Sequence, residues 1–162
     1  RSSDLSNSSW VAEGLLVGGQ AAAGDLPGLR GLGVSAMVSV SVALPPGAPH
    51  EGVRLHHVPL RDAPGEPLLE ALPGAVAFIA EARRRGERVL VHCAAGRSRS
   101  VSVAAAFMVS SLGMALDRAL RQCFSRRPAA RPNRGFVAQL LEYERGQTGR
   151  ASDLRLLGPA HE

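Results

Sequence analysis

Hydrophobic and polar positions fall into short alternating runs in the first half of the chain and into longer helical runs in the second. Trp10 to Gly19 alternates weakly and ends at Gly18-Gly19, which predicts one or two short strands closed by a turn. Ala21 to Leu32 predicts a short helix interrupted by Pro27 and Gly28. Ala36 to Ala43, AMVSVSVA, sets Met37, Ser39 and Ser41 on one face and Val38, Val40 and Val42 on the other, the period of a strand. A Pro/Gly-rich loop over 45–49 separates it from a second β-like run, Val53 to Leu60. Leu68, Leu72, Ala75, Val76 and Ile79 recur at helical spacing, with Pro73-Gly74 either kinking that helix or marking its start. Val89 to His92 is short and apolar, the pattern of a strand buried on both faces. Three helical stretches follow, Ser98 to Leu112, Met114 to Ser125 and Gly135 to Arg145, with Pro128 and Pro132 breaking the last two apart. Strands alternating with helices early and helices dominating late predict an α/β sheet covered by helices, without revealing the strand order.

Length adds that 162 residues make one domain, expected over 10–146, between a flexible polar tail at 1–9 and a patternless tail at 147–162. No apolar run is long enough to span a bilayer, and the Ser-rich opening is not a signal peptide, so a soluble intracellular domain without membrane attachment is expected. All 19 basic residues are arginine, which excludes the lysine-dependent nucleotide loop. The net charge of +5 favours anionic partners such as phosphorylated or acidic proteins, although most arginines read as a solvated face, and Arg83 to Arg85 as a helix end where cations complement the dipole. Aromatic residues at 4% argue against a nucleic-acid-binding module. The only cysteines, Cys93 and Cys123, form neither a disulfide framework nor a metal pair and fit a reducing compartment. His56, His57, His92 and Cys93 do not make a metal site, because adjacent strand residues point to opposite faces, and no cofactor is expected.

The chemistry concentrates in Val89 to Ser102, VLVHCAAGRSRSVS. A loop wrapped between a strand end and a helix N-terminus turns backbone N–H groups inward, where the helix adds positive partial charge; it is an anion cradle. Arg99, six residues after Cys93, stands where a planar guanidinium grips two phosphate oxygens. The dipoles and that cation favour the thiolate of Cys93, and a thiolate facing a phosphate is a phosphoryl acceptor. Ser100 would donate to the sulfur as it leaves.

These residues resemble the cysteine-dependent protein tyrosine phosphatase superfamily, whose signature H-C-x5-R-[ST] is met by His92, Cys93, Arg99 and Ser100. The fuller dual-specificity form H-C-x-x-G-x-S-R-S adds Gly96 and Ser98. A chance match at a given position is rarer than roughly one in a million. The resemblance covers about Trp10 to Arg145 and implies a single domain with a central, mostly parallel twisted sheet flanked by helices. It further implies a metal-independent phosphatase acting on phosphotyrosine, phosphoserine and phosphothreonine in proteins through a cysteinyl-phosphate, monomeric, in cytoplasm or nucleus. Ala94, Ala95, Gly96, Arg97, Ser98 and Arg99 would hold the phosphate, and His92 would support the loop. Asp62, 31 residues before Cys93 on a loop closing an earlier strand, matches the family's general acid. Asn133, after Pro132, matches the asparagine that braces the loop, and also reads as an N-cap for the final helix.

Departures from the pattern are few. Ala106 to Val109 replaces a common A-Y-[IL]-M run, and the variable loop positions Ala94, Ala95 and Arg97 lack the lysines of phosphoinositide phosphatases. Phosphoinositides and a catalytically weak phosphate-binding scaffold are the competing readings. Gly31 to Ala36 matches a dinucleotide fingerprint but precedes a strand where such a site must follow one, and Gly96 to Ser100 begins like a hydrolase elbow without its final glycine.

Overall fold

A computed structural model describes residues 5–157. Its strands are β1 (Ser8–Ala12), β2 (Leu15–Gly18), β3 (Val34–Val40), β4 (Arg54–Val58) and β5 (Arg88–His92). The helices are α1 (Gln20–Gly24), α2 (Leu26–Gly31), α3 (Leu68–Arg84), α4 (Arg99–Leu112), α5 (Leu116–Arg126) and α6 (Arg134–Thr148). The sheet runs β1-β2-β5-β3-β4, with β1 antiparallel to β2 and every other pair parallel. Strand β5 is therefore central, and the C-terminal ends of β2, β5, β3 and β4 share one edge. Ligands of parallel sheets bind outside that edge.

Period-two alternation sorts the side chains into two layers. Leu15, Val17, Ala36, Val38, Val40, Val89 and Val91 pack in the core that α3 to α6 cover, while Leu16, Met37 and Leu90 pack on the other side with Leu29 of α2. Helix α4 runs through the middle of the larger layer, buried at every position from Ser100 to Val109. Its N-terminus lies at the same edge because β5, buried on both faces, ends at His92, only six loop residues before it.

Several sequence expectations change. The strand read over Ala36 to Ala43 stops at Val40, leaving Val42 59% exposed. The helix expected over Ala21 to Leu32 is two helices, because the Asp25 side chain accepts from Gly28 N (3.0 Å) and Pro27 starts a new turn. Helix α3 passes through Pro73 without ending. An interior proline costs about 3 kcal/mol, whereas each fully buried aliphatic side chain contributes about 1.5–3 kcal/mol. Leu68, Leu72, Val76 and Ile79 outweigh it. The segment read as a tail joins the fold at its inner end: Leu5 is buried and β1 begins at Ser8, while 1–4 lie outside the described residues. Helix α6 extends past Gly146 to Thr148, and Ser152 folds back onto buried Glu144 through its N–H (2.9 Å) and hydroxyl (2.7 Å). Glu144 also accepts from Leu116 N (2.8 Å), capping α5, which has no cap of its own. No helix among the described residues is long and apolar enough to cross a membrane.

Candidate active site

Strand β5 delivers Cys93 to the centre of the active edge, 2% exposed, its Sγ 3.2 Å from Ser100 Oγ on the first turn of α4. Between them the chain makes a tight loop whose carbonyls all find partners behind it. Ala94 O accepts from Gln20 N (3.0 Å), Ala95 O and Gly96 O from the Arg127 guanidinium (3.2 and 2.6 Å), and Arg97 O from Arg131 N (2.6 Å). Ser98 O accepts from Ser102 N (2.9 Å). Within a planar trans peptide the N–H points opposite to the C=O. The N–H groups of residues 95–99 therefore face the cleft, and no side chain caps α4 to compete for them. Gly96 sits at φ +67°, and a Cβ there would lie 2.7 Å from the backbone of Gly18, so the loop geometry demands glycine twice over.

Arg99 donates from Nη1 to Leu60 O (3.0 Å), which aims its guanidinium across the cleft. Its Nε is buried and has no protein partner. A hydrogen-bond donor so placed is expensive unless an acceptor arrives. Asp62 lies two residues after Leu60 on the same loop and is exposed. Asn133 ties this loop to the Cys93 loop: its Nδ2 donates to Asp62 Oδ1 (2.9 Å), its backbone N–H to Ser98 Oγ (2.9 Å), and its Oδ1 accepts from Phe136 N (2.8 Å) to cap α6. The N-cap read from the sequence is made by the Asn133 side chain, whereas its contact with the Cys93 loop comes from its backbone N–H. The cleft, about 510 Å³, is lined by Asp62, Cys93, Ala94, Ala95, Ser98, Arg99 and Asn133, with exposed Arg97, Arg131 and Arg134 around it.

His92 is brought to the back of the site, not into it. It is fully buried and its Nε2 lies 2.6 Å from Ser39 Oγ. Burial is the main force that pushes its pKa down to about 4, with the charge of Arg99 adding to the effect. An unfolded histidine titrates near 6.5, so between pH 6.5 and 4 the unfolded chain binds the extra proton and acid favours unfolding. His92 is expected to contribute on the order of 3 kcal/mol of pH-dependent stability, present above pH 6.5 and lost as pH falls towards 4. Denaturant titrations at pH 7 and 5 check this: His92→Asn should flatten the dependence, and an equally steep loss in that variant contradicts it.

Cys123 takes no part. It is buried beside Met108, with its Sγ 3.8 Å from Met108 Sδ, and burial pushes its thiol up to about 12. Sequence reasoning missed Arg127, which resembles eighteen other arginines, and Asn7, which lay in the supposed tail. It also missed Ser39 and Gly135, which packs directly on the Pro64 backbone and brings α6 against the Asp62 loop.

The catalytic-domain model of the dual specificity phosphatases matches residues 15–146. Mouse dual specificity phosphatase 28 is 43% identical over 135 residues, covering 83% of this chain and 82% of its own. Mouse dual specificity protein phosphatase 12 is 42% identical over 136 residues, 83% of this chain but 40% of its own, so the chain spans about two fifths of that relative. The crystal structure of human DUSP28 superposes with a TM-score of 0.83 at 38% identity, covering 87% of this chain and 98% of that one. Fold, cleft and relatives place the chain in the cysteine-dependent tyrosine phosphatase superfamily. Within it, the chain belongs to the dual-specificity phosphatase family as a small atypical member.

Proposed function

We propose that the protein hydrolyses phosphotyrosine, phosphoserine and phosphothreonine in proteins through a cysteinyl-phosphate on Cys93. The observation that carries this reading is the convergence, in one cleft, of the Cys93 sulfur, inward-facing amides, the unpartnered Nε of Arg99 and the Asp62 carboxyl. The amides of the 95–99 loop and Arg99 hold three phosphate oxygens, leaving phosphorus in front of Cys93 Sγ. The thiolate attacks, the bond from phosphorus to the substrate oxygen breaks, and that oxygen takes the proton of Asp62. Water then attacks the cysteinyl-phosphate. Asp62 takes its proton, the S–P bond breaks, and inorganic phosphate departs. Against a thiolate, the Ser100 hydroxyl can only donate, so it stabilises the sulfur as leaving group. Asn133 keeps Asp62 within reach of the cleft. The arginines at the rim favour acidic sequence around the phosphorylated residue.

The test compares an activated aryl phosphate with a phosphoserine peptide, both in chelator, for wild type and Asp62→Asn. Wild type should turn over both without metal. The variant should lose on the order of 10²- to 10⁴-fold on the phosphopeptide, whose alkoxide needs a proton, and less on the aryl phosphate. Its pH profile should lose the limb due to Asp62. Equal losses on both substrates with an unchanged profile would remove Asp62 as the acid.

A further inference from the structure

The geometry points to Arg127, held by Asn7, as a positioning residue that shapes the Cys93 loop from behind and supplies it with a second buried positive charge. This rests on the reading of that loop as a phosphate cradle. Arg127 follows α5 and is 3% exposed. Its guanidinium is spent entirely on neutral acceptors: Nε on Gly96 O (2.6 Å), Nη1 on Ser9 Oγ (3.1 Å), and Nη2 on Ala95 O (3.2 Å), Asn7 O (3.3 Å) and Asn7 Oδ1 (2.8 Å). Among the described residues no carboxylate forms an ion pair with it.

Burying a cation is costly, and a buried cation normally has an anion beside it. Here the anions that would answer it are those of the proposed reaction, the Cys93 thiolate and a phosphate bound in its loop. Burial lowers the pKa of Arg127, and Cys93 is the group that acts against that lowering. Pulling the Ala95 and Gly96 carbonyls backwards also turns the following N–H groups into the cleft, so one side chain aligns the donors and adds charge without touching substrate.

Asn7 completes the clamp. It adopts φ +54°, a left-handed conformation that asparagine tolerates better than most residues. Its Oδ1 accepts from Arg127, its Nδ2 donates to Ala95 O (3.4 Å), and its carbonyl accepts from Gly19 N (3.3 Å). Residue 7 thus reads both the loop and the arginine that braces it, from a segment that precedes the first strand.

Charge around Cys93 comes from Arg99 on α4, Arg127 after α5, Asp62 on the loop after β4, and Arg97, Arg131 and Arg134 at the rim, with His92 adjacent in sequence. Only Arg127 and Asn7 change in the test, so the remaining groups are a constant background. Wild type, Arg127→Gln, Arg127→Lys and Asn7→Ala are compared in the rate of iodoacetamide alkylation of Cys93 against pH, inhibition by inorganic phosphate, and thermal unfolding. Arg127→Gln should move the alkylation midpoint upward and weaken phosphate inhibition about ten- to hundredfold, the range for outer-shell partners. Arg127→Lys should recover the alkylation midpoint but not phosphate affinity, because a lysine keeps the charge and loses the fork. Asn7→Ala should keep the midpoint and weaken phosphate inhibition several-fold.

If Arg127→Gln unfolds more easily yet keeps both midpoint and phosphate inhibition, the residue is merely structural and the proposal is overturned. Should that variant not fold, Asn7→Ala decides: unchanged phosphate inhibition overturns the clamp. A wild type that neither hydrolyses aryl phosphate nor is protected by phosphate from alkylation defeats the phosphatase reading itself, a result distinct from either.

Discussion

Cys93→Ser is expected to lose at least on the order of 10⁴-fold in turnover of any phosphate monoester, the scale seen when a covalent nucleophile is removed. A serine hydroxyl at the same position must be deprotonated to attack, and the groups described around Cys93 are not arranged to take that proton. The side chain that contacts the sulfur at hydrogen-bond distance is the Ser100 hydroxyl, 3.2 Å away. The neighbouring histidine points backwards onto Ser39 and is kept neutral by burial, with its pKa pushed down to about 4. Asp62 lines the same cleft, held by Asn133, and the proposed mechanism commits it to the leaving group. The variant should nevertheless bind inorganic phosphate, since the amides and Arg99 remain. Steady-state kinetics on an aryl phosphate, with phosphate titration of the variant, check both halves.

Arg99→Lys is expected to lose about 10²- to 10³-fold in kcat, comparable to removing a donor aimed at the charge that develops in a transition state. The guanidinium does two jobs at once. Nη1 is fixed on Leu60 O at 3.0 Å, and buried Nε, which has no protein partner, is the donor that the proposed mechanism assigns to the phosphate. A lysine has one nitrogen and can satisfy the carbonyl or the phosphate, not both in this geometry. Because Leu60 lies two residues before Asp62, the same change should also loosen the acid loop, so kcat on phosphopeptides should fall further than on an activated aryl phosphate. A variant with kcat within a few-fold of wild type on both would place the phosphate elsewhere.

How far the site was legible in the sequence depends on chain distance. His92, Cys93, Gly96, Ser98, Arg99 and Ser100 fall in nine consecutive residues, so a strand-loop-helix reading suffices to bring them together. Asp62 and Asn133 come from distant segments and were placed by resemblance; the structure joins them at 2.9 Å, through packing of Gly135 on Pro64 that no local pattern announces. Arg127 and Asn7 were out of reach. Their contact spans 120 residues and exists because the β1-β2 hairpin lies beside β5, a strand order that alternation cannot encode. Faces were easier than ends: Val38 and Val40 share a layer as period two requires, yet β3 stops short of Val42 where the chain leaves the sheet. Pro73 misled in the other direction, because a local breaker was outweighed by tertiary burial.

The most direct test of the central claim is to stop Asp62→Ala in acid during turnover of an activated aryl phosphate and locate the phosphoryl group by peptide mass spectrometry. A good leaving group lets the first step proceed without the acid, whereas hydrolysis of the intermediate still needs the base, so the intermediate should accumulate. The account requires a phosphoryl group on the peptide carrying Cys93, absent in the Cys93→Ser, Asp62→Ala double variant. Turnover with no label on Cys93, or with label on a serine or histidine instead, would contradict it.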